Sequence, residues 1–171
     1  MVQQLSKNKK KWIAIYTKPR HEKTVLNELI NKGIETYLPI LKERRKWSDR
    51  KKWVEFPLFR SYVFTRIALN NTLPVLKTIG VVKIIKFGNN PAIVQDKHIK
   101  NIKLMIEGGY RPQSTDYFLR GDMVQVCDGP LKGLEGEVIR IDNQDWIIIR
   151  IDAIQHSISV KIERNFLKSL N

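Results

Sequence analysis

Twelve residues, Lys42 to Trp53, hold the densest set of groups able to do chemistry in this chain of 171. Arg44, Arg45, Lys46, Arg50, Lys51 and Lys52 supply positive charge at neutral pH, and Trp47 and Trp53 supply two flat π-faces. Such cations neutralise phosphates, and an indole stacks on an unpaired base for about 1–3 kcal/mol. The two indoles could instead close on each other as a cross-strand pair that holds a hairpin together. Ser48–Asp49, in the middle, is turn chemistry, so the run reads as a basic hairpin over about 42–56. Lys18, Arg20 and Lys23 could extend the basic surface.

Reactive groups elsewhere do not converge. His21, His98 and His156 fall in three separate elements, and no Cys/His spacing suits zinc. Gly129, Gly133 and Gly136 lie between strands, not ahead of a helix as a phosphate loop needs. Ser61 lacks the flanking glycines of a nucleophile elbow. The expectation is a binding protein with no catalytic residues, no metal and no cofactor. Cys127 is the single cysteine, which rules out an internal disulfide and fits a reducing compartment. No apolar run approaches the roughly 20 residues that span a bilayer, and Met1–Lys11 is polar then basic without a cleavage signal. A cytoplasmic, monomeric protein that does not engage membranes is expected.

Charge is divided unevenly. Residues 1–113 carry 24 Lys/Arg against 8 Asp/Glu, a net of +16; residues 114–171 carry 7 against 9, a net of −2, and the halves make up the overall +14. An excess of this size exceeds what solubility needs and points to a polyanion, nucleic acid, as the partner of the first half alone.

The elements that must position these groups follow from periodicity. Trp12–Tyr16 reads as a strand, with Thr17 a cap and Pro19 the first position of a helix whose Val25, Leu26, Leu29 and Ile30 form one stripe ended by Gly33. Glu35–Ile40 and Tyr62–Ile67 read as strands, Leu73–Ile79 as a short helix, and Val81–Phe87 as a strand inside the sheet. Asp96 can cap a helix with Ile99, Ile102 and Ile106 turned inward, closed by Gly108–Gly109. Strands interleaved with helices predict a sheet with helices on one face. Residues 110–119 read as a linker between a domain at 1–109 and one at 120–171. Beyond it come short β-runs, Met123–Cys127, Glu137–Ile141, Trp146–Ile151 and Ile158–Ile162, enough for a small SH3-like barrel.

Gly121–Asp122 through Val126, followed by Gly129, Pro130, Lys132, Gly133 and Gly136, resembles the KOW motif with every glycine in place. In physical terms Val124 and Val126 face a core, while Gly129, Gly133 and Gly136 permit positive φ in a compact turn. Upstream, Trp12–Tyr16 with its helix, Tyr37–Leu38–Pro39, Pro57–Leu58–Phe59–Arg60–Ser61–Tyr62–Val63–Phe64, Gly80–Val81 to Phe87–Gly88 and Pro91–Val94 resemble a NusG N-terminal domain. Within that family Lys46–Glu55 looks like the specialised UpxY branch, akin to RfaH, more than the housekeeping form. The resemblance implies an α+β chain: a NusG-type (NGN) α/β sandwich with an antiparallel-rich sheet, then the KOW barrel.

It also implies partners. Such factors dock on the clamp helices of RNA polymerase and suppress pausing or termination. The matching aromatic patch is Tyr16, Phe59, Tyr62, Phe64 and Phe87, with Tyr62 and Phe64 expected to share a partly exposed face. Arg60 stands where relatives usually carry Pro, which leaves the shape of that turn open. The basic hairpin would meet the non-template DNA strand of the transcription bubble, and the barrel a ribosomal protein or a termination factor. The specialised kind would act on particular operons, by resemblance those for surface polysaccharide. The alternatives are a general NusG-like factor, a ribosome- or RNA-binding KOW protein, whose barrel should then be basic, and a nuclease accessory or repair factor. RfaH has a C-terminal domain that can fold as a helical hairpin. Here Trp146–Ile151, rich in β-branched residues, and the breakers Gly129, Pro130, Gly133 and Gly136 favour a barrel with no helical rival.

Overall fold

The computed structural model describes residues 9–46, 51–110, 112–115, 121–141 and 144–170. The chain divides into two compact units, 1–96 and 97–171.

The first unit opens with β1 (Lys11–Thr17) and α1 (Glu22–Asn31). Thr17 does not cap this helix and Pro19 lies outside it. The strand runs on through a fully buried Thr17, and Arg20, at φ +64°, turns the chain before His21 starts the helix without a side-chain cap. Next come β2 (Glu35–Tyr37), β3 (Ile40–Lys46), β4 (Lys51–Pro57), β5 (Tyr62–Ile67) and a single-turn α2 (Leu73–Leu76). Four short strands complete the unit: β6 (Val81–Ile84), β7 (Lys86–Phe87), β8 (Asn90–Pro91) and β9 (Ile93–Val94).

The main sheet is antiparallel, in the order β2-β5-β1-β6, with β9 also paired to β1. β1 is central, and Trp12, Ile13, Ala14 and Ile15 are all buried, so both faces of the sheet are covered at this strand. Ile13 and Ile15 join Val25 and Leu29 of α1, Val63, Ile67, Val75 and Ile84 in one core. Val81–Phe87 is not one interior strand. It breaks at Ile85, whose N–H donates to Ala14, and leaves Val82 and Phe87 half exposed. Apolar residues on both faces suggest an interior strand, but among the described residues β6 ends the sheet order and has no neighbour beyond it there.

The second unit holds most of α3 (Asp96–Glu107), where Ile99, Ile102 and Met105 are buried and Ile106 only partly so. Asn101 Nδ2 donates to the Glu135 carbonyl at 2.8 Å. The barrel strands are β10 (Gln113–Thr115), β11 (Asp122–Val126), β12 (Glu135–Ile141), β13 (Gln144–Ile151), β14 (His156–Lys161) and β15 (Leu167–Ser169), in the order β10-β14-β13-β12-β11-β15. Gln113–Thr115, expected within the linker, pair with Ser157–Ser159 as an edge strand. Gly129 and Gly133 do take positive φ, +75° and +86°, in a turn anchored by buried Leu131 and Leu134. Gly136 does not. It sits inside β12, where a Cβ would meet Ile147 Cγ2 at 2.6 Å and the Ile148 carbonyl oxygen at 2.8 Å, so it serves close packing.

Candidate nucleic-acid and partner interfaces

β3 and β4 form a two-stranded ladder from Ile40↔Pro57 to Lys46↔Lys51. Side chains alternate across such a ribbon, which places Lys42, Arg44 and Lys46 on one face with Lys51, Trp53 and Glu55. Arg44, Lys46, Lys51 and Lys52 are exposed, and Trp53, 62% exposed, stands opposite Arg44 in register. Arg45 pairs with Lys52 in the backbone register. Trp47 and Arg50 lie outside the described residues, so the Trp47–Trp53 pairing lies outside them too. A ladder that sets Lys46 against Lys51 gathers like charges that a polyanion would relieve.

The foot of this ladder is tied down. Glu55 accepts from Lys23 Nζ of α1 at 2.9 Å and pairs with Lys42 Nζ at 3.0 Å. Hydrogen bonding from Lys23, then from Lys42, holds the Glu55 carboxyl below the usual carboxylate range. Lys23 therefore joins helix to hairpin, its ammonium paired with Glu55 while the side chain stays partly exposed. Lys18 and Arg20 are exposed on the loop between β1 and α1.

The aromatic candidates differ in burial. Tyr16 and Tyr62 face each other across β1 and β5, ring centres 5.4 Å apart and edge to face, both half-buried. Lys83, beside Tyr16 on β6, carries its ammonium 5.9 Å from that ring. Burial, then the neighbouring Tyr16, pushes the Tyr62 phenol up, so it stays a neutral hydrogen-bonding group. Phe59 and Phe64, by contrast, are 1% and 0% exposed, with rings 5.9 Å apart at 87°. The expected exposure of Phe64 is corrected. It shares the Tyr62 side by alternation, but lies between Ala14 and Tyr37 in mid-sheet, where the second face is covered. The two phenylalanines are core residues with no surface to offer. Phe87 is 54% exposed on β7, outside the tyrosine row.

Sequence reasoning missed two contributors. Lys83 could have been found from its place in a β-run, opposite Tyr16. Glu22 could have been found as the only carboxylate in the first turn of α1. It is 7% exposed, and its Oε1 accepts the backbone N–H of Ser61 at 2.8 Å.

In the barrel, Glu137 accepts from the Gly121 N–H and pairs with Arg150, and Gly133 N–H donates to the Val126 carbonyl. The motif's glycines and its buried leucines thus close the turn, while Pro130 and Lys132 are exposed. Among the described residues no group of His, Cys, Asp and Glu is placed to hold a metal ion, and no helix is long and apolar enough to cross a membrane.

A sheet unit with an exposed cationic ribbon, followed by a glycine-turned barrel, defines a two-domain chain. The family model "Transcription termination factor nusG" matches residues 10–103, and the KOW motif matches residues 120–150. The chain belongs to the NusG family of transcription factors. Among solved structures it is similar to NusG of Thermotoga maritima, from a study of domain interaction in that protein, at 21% identity. The match covers 96% of this chain and 99% of that one, with a TM-score of 0.53. That likeness bears on the fold. The MjSpt4:Spt5 complex aligns at 17% identity over 94% of this chain and 97% of that chain, with a TM-score of 0.31, too loose a superposition to bear on function. A search of the curated proteins finds no match.

Proposed function

We propose that the chain is a specialised antitermination factor of the UpxY/RfaH type. The Tyr16–Tyr62 row, edged by Lys83, docks on the clamp helices of RNA polymerase. The β3–β4 ladder lies along the non-template DNA strand, with Arg44, Lys46 and Lys51 on phosphates, Trp53 on an unpaired base and Lys52 adding charge from the ribbon's other face. Pausing or termination is thereby suppressed on particular operons, those for surface polysaccharide, in the cytoplasm. The observation that carries this reading is one unit presenting both a half-buried tyrosine pair and an exposed cationic ribbon. Aromatic burial supplies energy at a protein interface, whereas phosphate contacts supply salt-dependent affinity. The barrel, with its acidic excess, takes a protein partner, either a ribosomal protein or a termination factor.

The test is binding to purified RNA polymerase and pausing assays on a long template. Tyr16→Ala with Tyr62→Ala should weaken polymerase binding about 100-fold or more, the cost of two interface aromatics, and abolish pause suppression. Unchanged binding would remove the tyrosine row from the docking surface.

A further inference from the structure

Ser61 has φ +63°, in the left-handed region that an L-residue other than glycine enters only at a cost. It is buried, and both of its backbone groups are held. Its carbonyl accepts from the Thr17 N–H at 2.8 Å, and its N–H donates to Glu22 Oε1 at 2.8 Å. Those two grips come from either end of the β1–α1 connection. Residue 61 directly precedes Tyr62, and the same turn is closed by the Tyr62 N–H on the Phe59 carbonyl at 3.3 Å. Phe59 in turn packs on Phe64, which follows Tyr62 on the same face of β5.

Glu22 is an unusual residue for this place. Buried carboxylates are rare unless a donor holds them, and the first turn of a helix suits a negative charge. Its carboxylate bonds a backbone amide 39 residues away in sequence, and that amide belongs to the strained position. A charge-assisted hydrogen bond to a backbone N–H is stronger than a neutral one and fixes direction as well as distance. Arg60, exposed at the crest of the turn, does not have the fixed φ a proline would bring, so the clamp has more to hold.

We propose that Glu22 is a positioning residue for the docking surface: it holds Ser61 left-handed and thereby sets the Tyr62 ring against Tyr16. The inference deepens the proposed polymerase contact and rests on that reading for its consequence, but not for its structural part. It makes the turn's conformation depend on one side chain, and it separates the roles of Glu22 and Ser61 in a way that double substitution can read.

The experiment uses the full chain with Glu22→Ala, Glu22→Gln, Ser61→Gly and the Glu22→Ala/Ser61→Gly pair. It measures exchange of the residue 61 amide by NMR, ring-to-ring contact between Tyr16 and Tyr62, and affinity for purified RNA polymerase. Glu22→Ala should lower protection of that amide at least about tenfold, loosen the ring contact and weaken polymerase binding about tenfold. Glu22→Gln, which keeps an acceptor, should stay within about threefold of the parent on each measure. Ser61→Gly removes the penalty on positive φ, so adding it to Glu22→Ala should restore the ring contact and most of the affinity without restoring amide protection. A merely structural role would show no such rescue. Should Glu22→Ala fail to fold, Glu22→Asp, one methylene shorter, replaces it and should show the same losses. Persistent Tyr16–Tyr62 contact in the Ala or Asp variant, or no rescue by glycine, would overturn the proposal. If the ring contact is lost while polymerase binding is unchanged, the positioning role stands and the docking assignment fails.

Discussion

Neutralising the ribbon tests the nucleic-acid assignment where the structure is most explicit. Lys42 is held by Glu55, whereas Arg44, Lys46, Lys51 and Lys52 are exposed along the ladder. Each phosphate neutralised on a single strand adds about 0.7 to the slope of log affinity against log salt, because a condensed counterion is released. Changing Arg44, Lys46 and Lys51 to Gln should therefore flatten the slope by about 2. Between about 50 and about 200 mM salt, the parent's affinity should fall about 20-fold more than the variant's. The assay is fluorescence anisotropy of a labelled single-stranded oligonucleotide across a KCl series. Changing Lys77, Lys97 and Lys100 to Gln removes the same net charge from outside the ribbon, and should move the slope by less than about 0.5. Equal flattening by both triples would mean that general charge, not the ribbon, drives binding. No flattening by the ribbon triple would refute the reasoning outright.

Two further outcomes concern the second unit. Burial, then Lys97, lowers the His98 imidazole below its ordinary 6.5, with Asp152 opposing. The unfolded chain then binds more protons in the window just below 6.5, so stability should fall as pH drops through that window and level off below the folded value; urea unfolding at several pH values should show this, and His98→Asn should flatten it. Gly136→Ala places a methyl against Ile147 and the Ile148 carbonyl, and should cost about 1–3 kcal/mol in the barrel, read by thermal unfolding, while polymerase binding by the first unit is kept.

Much of this fold was legible in the sequence because its signals are local. The strand at Trp12–Tyr16, the helix ended by Gly33 and the turn closed by Gly129 and Gly133 each follow from a few neighbouring residues. What failed was long-range. Alternation placed Phe64 beside Tyr62 correctly but could not say that the second face of the sheet is covered at residue 64 and only partly so at residue 62. Likewise Lys23 looks like any surface cation until Glu55, 32 residues on, arrives beside it. The place of Glu22 in the first turn of α1 can be read locally, but its partner cannot, since a backbone amide 39 residues away leaves no mark on residue type.

The contrast between the two units bears on how motif and function relate. The KOW run is the sharpest pattern in the chain, yet its glycines are occupied with geometry. Gly129 and Gly133 turn the chain, and Gly121 and Gly136 stand where a side chain would strike a neighbouring strand. A motif made of such positions specifies a barrel and leaves its surface free to vary, so sharing it with RNA-binding proteins says little about what this barrel touches. Its formal charge is the better guide, and a net of −2 over residues 114–171 offers a polyanion no general attraction. The first unit works in the opposite manner: its fold tolerates many surfaces, and the chemistry lies in what stands on it. On the proposed reading, the cations that act are those that Glu55 does not pair, unlike Lys23 and Lys42, and the aromatics that act are the half-buried Tyr16 and Tyr62, not the buried Phe59 and Phe64.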